Sequence, residues 1–222
     1  MTRGILIIGA ESSLLAALAA EAGKRVECFA MAAIPSHPAD AERGDVRTGG
    51  ASRIALNWNP GSPISARTLA AAAQNRLGHI DEAVLVCVPP LIRGEAEELS
   101  PVLVEKAVND HIKGWFFLAK ELCAAFNTRG SGTLALVLSE SGPSSARDEP
   151  PNLIGAAAGA SFRAFSQALI SASAHKPYQA LGFSSESGDD APFAAYIFKI
   201  MEEGGRRNTG KWHKFGRHGL FH

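Results

Sequence analysis

The stretch Gly4 to Glu21, GILIIGAESSLLAALAAE, constrains the fold of this chain more than any other. Its first half is a short, continuous apolar run rich in β-branched Ile, the pattern of a strand buried on both faces, and its second half is an Ala/Leu-rich helix. Gly9 lies between them. In α/β folds such a strand-turn-helix suits a pyrophosphate, because helix N-terminal amides point at it and glycines let the backbone come close. Here the turn reads GAESSLLA, with only its first position glycine.

The rest of the chain repeats the unit. Arg25 to Met31 reads as a second strand, followed by a stretch from Ala32 to Gly50 without clear period that reads as a loop. Arg53 to Leu56 is a third short strand, and Ile64 to Leu77 an alanine-rich helix stopped by Gly78. Glu82 to Val88 is the most apolar strand, ended by Pro89 and Pro90, and Pro101 to Asn127 is a long amphipathic helix. Thr133 to Leu138, Tyr178 to Phe183 and Lys211 to Phe215 read as strands, with helices at Leu153 to Ala174 and Pro192 to Glu203. Strands alternating with helices of this length predict right-handed crossovers and a mostly parallel sheet covered on both faces. The expected fold is therefore doubly wound, Rossmann-like α/β, in a single domain over residues 1–222.

Charge removes two classes of partner. Lys plus Arg and Asp plus Glu both total 22, so the net charge is zero and neither nucleic acid nor an anionic membrane is expected to bind. The basic cluster Arg206, Arg207, Lys211, Lys214 and Arg217 reads as a solvated face. The three cysteines, Cys28, Cys87 and Cys123, are widely spaced in apolar segments and read as reduced core residues, which suits a cytoplasmic protein. No CxxC or HxxxH pair suggests a metal. The apolar run before Gly9 is too short for a signal peptide, and no transmembrane span is expected.

Five segments, in order along the chain, resemble the short-chain dehydrogenase/reductase family. NRLGHIDEAVLV (Asn75 to Val86) is similar to its helix-Gly-x-Ile-Asp-strand segment, and VNDHIKGWFFLAKEL (Val108 to Leu122) to its central helix. GTLALVLSESG (Gly132 to Gly142) resembles the strand ending in the catalytic serine, GASFRAFSQALI (Gly159 to Ile170) the second half of the active-site helix, and NTGKW (Asn208 to Trp212) the start of the last strand. The resemblance implies catalysis by a Tyr, a Lys one helical turn later that lowers its pKa, a Ser that polarises the substrate oxygen and an Asn that holds a water. Ser139 and Asn109 stand at the last two positions, whereas the Tyr falls on Gly155 and the Lys on Gly159. No Tyr or Lys occurs between Pro150 and Ser173.

The cofactor positions depart in the same direction. The three glycines of the family's turn fall on Gly9, Ser13 and Leu15; its Asn-Asn-Ala-Gly becomes Cys87, Val88, Pro89 and Pro90; and its adenine-side Asp becomes Asn57. The second strand offers Ala30 and Met31 where a ribose ligand is expected, and only Ser184 to Asp190 replaces the substrate-covering segment. Bland readings compete at each remnant: Ser139 as a cap, Asn109 as the cause of a helix bend, His111 as structural, Asp189 and Asp190 as a capping loop. Trp115, Phe116 and Phe117 read as facing a partner helix.

Two functional expectations follow. One is a non-catalytic subunit with no or weak NAD(P), possibly inside an oxidoreductase complex. The other is a divergent NAD(P)-dependent oxidoreductase for a small carbonyl or hydroxyl compound. In the resembled family the central and active-site helices pack on their copies in a neighbouring subunit. The expected assembly is therefore a homo-oligomer, or a heteromer with an active relative, through helices 101–127 and 153–174. Small residues from Gly155 to Ala160 and the rings of Phe116, Phe117, Phe162 and Phe165 are expected to serve that contact.

Overall fold

A computed structural model describes residues 3–34, 46–48, 50–140, 150–203 and 210–216. In chain order the elements are β1 (Ile5–Ala10), α1 (Ser13–Ala22), β2 (Cys28–Ile34), β3 (Val46–Thr48), β4 (Ala51–Leu56), α2 (Pro63–Leu77) and β5 (Glu82–Cys87). They continue as α3 (Pro101–Val108), α4 (Gly114–Arg129), β6 (Thr133–Ser139), α5 (Leu153–Ala172), β7 (Gln179–Ser185), α6 (Asp190–Glu203) and β8 (Trp212–Phe215). One sheet runs β3-β4-β2-β1-β5-β6-β7-β8, parallel throughout except for the edge strand β3, which pairs antiparallel with β4.

Alternation along the strands divides the core. Leu6 and Ile8 of β1, with Ala83 and Leu85 of β5, face the layer of α2, α4 and α5. Ile5 and Ile7, with Val84 and Val86, face α1 and α6. Successive side chains on a strand point to opposite faces, so a run apolar at every position is the mark of a strand covered on both.

Several boundaries differ from expectation. The second strand begins three residues later than the apolar run at Arg25, because the end of α1 continues as a turn: the Arg25 and Val26 amides donate to Ala22 O at 2.9 and 3.1 Å. It then extends to Ile34, into the stretch read as loop, which also supplies β3. The helix expected over Pro101 to Asn127 is broken by a π-helical turn at Asn109–Lys113, and α4 runs on to Arg129. The helix expected to end at Ala174 ends at Ala172, where Ser173 Oγ donates to Ile170 O at 2.8 Å. α6 starts at Asp190, so that aspartate lies in its first turn. Asn208 and Thr209 of NTGKW, and Arg206, Arg207 and Arg217 of the basic cluster, lie outside the described residues.

By length and composition alone α5 is apolar enough to cross a membrane, with 33% of that stretch buried inside the fold. Here it packs on β6 and β7 through Phe162 and Ile170.

Candidate functional site

The chain runs outward from β1 through β2 to β4 and then returns to β5 on the other side of β1. Ligands of open α/β sheets bind beyond the carboxyl ends of the strands at such a reversal. The candidate site is therefore built from the ends of β1, β5 and β6, the first turn of α1 and the first turns of α5.

At the β1 end, the glycine expected in the turn lies inside the strand. Gly9 pairs with Ala33 and Val86, and a Cβ there would stand 2.8 Å from both Val86 Cβ and Val86 O. Close packing explains this glycine without a phosphate. Leu15 turns inward, 1% exposed, its Cδ1 3.2 Å from the same notional Cβ. Ser12 caps α1: its Oγ accepts from the Leu15 amide at 3.1 Å, taking one of the donors an anion would use. Ser13 is exposed at the first helical position, and Asn57 is exposed just past β4.

At α5 the two positions that lack Tyr and Lys are covered. A Cβ on Gly155 would lie 2.4 Å from Pro90 O and 2.2 Å from Asn152 Nδ2, and one on Gly159 would lie 3.2 Å from Pro89 Cγ. The segment after β5 thus rests on the glycine face of α5, and Asn152 fastens it there. Asn152 Nδ2 donates to Pro90 O at 2.8 Å, while its Oδ1 accepts from the Ile92 amide at 3.1 Å and the Gly155 amide at 3.0 Å. The Gly94 amide adds a bond to Pro151 O at 3.2 Å. Sequence reasoning did not find this contact. An Asn directly before Leu153 and Ile154 is an N-cap signal, but nothing local names Pro90 as its second partner.

Ser139 closes β6, nearly buried, in register with Ser185 of β7. Asn109 begins the π turn, where its Oδ1 accepts from Lys113 Nζ at 2.9 Å and its Cβ stands 3.5 Å from a notional Cβ on Gly61. The helix irregularity expected at Asn109 is thus present, and the residue faces the turn after β4. Next to Ser139, Glu140 is ion-paired with Arg163 of α5, whose guanidinium also lies 4.8 Å over the Trp212 ring. Arg163 stands one helical turn beyond Gly159, but its charge is directed at Glu140.

Burial shifts several groups among the described residues. Burial pushes the Cys87 thiol at the end of β5 up to about 12. Burial likewise lowers His111, so its ring is neutral at pH 7. Burial and a hydrogen bond with Cys123 raise the Tyr178 phenol. Away from this end of the sheet, a groove of about 580 Å³ opens between α2 and α4, with Arg67, Gln74, His79, Glu121 and Arg129 in its lining.

The aromatic residues divide between core and surface. Trp115 and Phe162 are buried in the chain's own core, which withdraws both from the surface expected to meet a partner. Phe116 is 51% exposed and meets Phe165 of α5 at a centroid distance of 4.5 Å. Gly155 and Gly159 face inward, so only Ala156, Ala157 and Ala160 of the small-residue stretch are exposed.

A doubly wound, mostly parallel sheet whose strand order reverses between β1 and β5 makes this a Rossmann-type α/β protein. The fold is more narrowly that of the short-chain dehydrogenase/reductases. A short chain dehydrogenase from Mycobacterium smegmatis superposes with a TM-score of 0.74 at 12% identity, over 99% of this chain and 94% of that one. A short-chain dehydrogenase/reductase from Serratia marcescens gives 0.72 at 13% identity over 96% of each chain. The NADH-dependent reductase A1-R', in complex with NAD, gives 0.72 at 14% identity over 96% of this chain and 94% of that one. No family model and no curated protein matches the sequence.

Proposed function

We propose that this chain is a non-catalytic subunit, a cytoplasmic pseudoenzyme that keeps the short-chain dehydrogenase/reductase fold and its association surface but binds NAD(H) and NADP(H) weakly or not at all. The observation that carries this reading is the seating of Pro89 and Pro90 on Gly155 and Gly159. In the resembled family that face of the helix carries the proton donor and the ribose-holding lysine; here it has neither, and backbone fills the space beside it. The capped Leu15 amide and the inward Leu15 side chain support the same reading at the pyrophosphate end. Isothermal titration with NADH and NADPH tests it. Heats too small to fit are expected, and a dissociation constant near a micromolar, about −8 kcal/mol, would defeat the proposal.

The subunit's role is assembly. Val104, Val108 and Phe116 are exposed on α3 and α4, and Leu153, Ala156, Ala157 and Ala160 on α5, so the three helices expose apolar surface, with Lys106, Lys113 and Lys120 exposed among it. Such a face fits a second subunit of the same fold, either another copy or a catalytically intact relative. Light scattering of the protein alone and co-expressed with an active relative measures this. A monomer at micromolar concentration that recruits no relative, and is unaffected by Phe116→Glu, would remove the assembly role.

A second reading, a divergent NAD(P)-dependent oxidoreductase, is supported by Ser139 and Asn109 and by the NAD bound in one structural neighbour. The same titration decides between the two.

A further inference from the structure

Three rings cross the face of the sheet covered by α2, α4 and α5: Trp58 just past β4, Trp115 at the second residue of α4, and Phe162 in α5. Their centroids are 5.2 Å apart for Trp58 and Trp115, and 5.4 Å for Trp115 and Phe162. Trp58 is 4% exposed and Trp115 2%. An indole Nε1–H is a donor only, and both Nε1 atoms are buried with no acceptor among the described residues. The third indole differs: Trp212 Nε1 donates to Ser184 Oγ at 2.9 Å. Buried donors in folded proteins are satisfied with few exceptions, by the chain or by ordered water, because an unmet one keeps its whole desolvation cost.

The two indoles are held together by backbone that has no room to shift. Gly114, the residue before Trp115, lies so close to Pro60 that a Cβ would stand 2.5 Å from Pro60 Cβ, and Pro60 is two residues past Trp58. The π turn immediately before Gly114 packs on Gly61, next to Pro60. A π turn leaves the i→i−4 ladder, so the backbone of Asn109–Lys113, directly before Gly114 and Trp115, is not that of a regular α-helix. Two unmet donors on neighbouring rings meet the least that a buried water needs in polar partners. Aromatic surroundings make an ion a costly occupant and a neutral acceptor a cheap one.

We infer that the indole N–H groups of Trp58 and Trp115 donate to one ordered water, which fastens the turn after β4 to the start of α4. The competing arrangement is an N–H directed at a ring face, which the edge-to-face packing of Trp115 and Phe162 permits. Proton NMR of the full-length protein distinguishes them, with a high-resolution crystal structure beside it and the indole signals assigned by Trp→Phe variants. The expected result is a water within about 3 Å of both Nε1 atoms. Both indole protons should also show cross-peaks to a water that tumbles with the protein, and Trp58→Phe should weaken the one at Trp115. Upfield-shifted indole protons without a water cross-peak, or a water at one indole and not the other, overturn the inference. Should Trp58→Phe fail to fold, the unmodified protein's spectrum and density still decide.

Discussion

Adding a single methyl group at Gly155 tests whether the face of α5 toward Pro90 has been closed by packing. The Cβ of Gly155→Ala would stand 2.2 Å from Asn152 Nδ2 and 2.4 Å from Pro90 O, and the second of these is backbone. Pro90 must move, and its bond from Asn152 Nδ2 is strained or lost. Overpacking of this kind costs about 1–3 kcal/mol, and a lost hydrogen bond adds about 1 kcal/mol. The gain in helix propensity from Gly to Ala is at most about 1 kcal/mol, and less in a first turn. The net expectation is a loss of about 1–3 kcal/mol, or a fall in melting temperature of roughly 2–12 °C at about 2–4 °C per kcal/mol for a chain of this size. Gly159→Ala is the internal control, because its Cβ would lie 3.2 Å from the Cγ of a single proline ring, which can give by a few tenths of an ångström. There the propensity gain dominates, and the variant should match or exceed wild type by up to about 1 kcal/mol. Urea unfolding followed by circular dichroism measures both. Equal stability of Gly155→Ala and wild type would refute the claim that Pro90 fills the space beside the helix.

Gly155→Tyr combined with Gly159→Lys is expected to restore no turnover in a ketone and aldehyde panel with NADPH, because the tyrosine would have to displace Pro90 before reaching a substrate. Turnover by the double variant would mean that the segment moves aside and that the cofactor still binds. The Glu82 carboxyl gives a pH test: burial raises it above the ordinary carboxylate range although Arg3 is hydrogen-bonded to it. A raised folded-state pKa contributes stability at acid pH that is lost as pH rises through it, so Glu82→Gln should gain relative to wild type between about pH 4 and pH 7. Unfolding midpoints at the two pH values check the sign, and a variant that loses ground as pH rises would reverse it.

What the sequence revealed and what it hid separate along one physical line. The β1–α1 unit was legible because a run apolar at every position, leading into an alanine-rich helix, depends only on neighbours in the chain. So was the irregularity at Asn109, because an asparagine inside a helix calls for a local reason. The start of β2 was not, since Val26 leads in sequence into the apolar run of β2, but its amide and that of Arg25 are held by the carbonyl of Ala22 at the end of α1. The contacts that decide the site are further apart still. Asn152 meets Pro90 across 62 positions, and Arg163 meets Glu140 across 23. A sequence read for periodicity identifies Gly155 and Gly159 as missing groups but not as packing residues, because their neighbours come from another element. For the same reason Phe162 read as a partner-facing ring, although Trp115 buries it within the chain.

The glycines of α5 carry the most weight in reading the candidate site. A helix that had only lost its tyrosine and lysine would be expected to fill those positions with alanine, as it has at Ala156, Ala157 and Ala160, since each glycine inside a helix costs about 1 kcal/mol. Gly155 and Gly159 are instead the two positions where backbone or a proline ring comes within reach of a Cβ. Their lack of a side chain is what lets Pro89 and Pro90 lie against the helix, and Asn152 makes two hydrogen bonds to the segment, to Pro90 O and from the Ile92 amide, while capping α5 through the Gly155 amide. The prolines in turn replace the polar, flexible residues that the resembled family places after this strand. Substitutions on two distant elements are thus fitted to each other. Such fitting fixes α5 against the sheet and leaves its outer face, with the Phe116–Phe165 pair at one edge, as the face proposed to meet a second subunit.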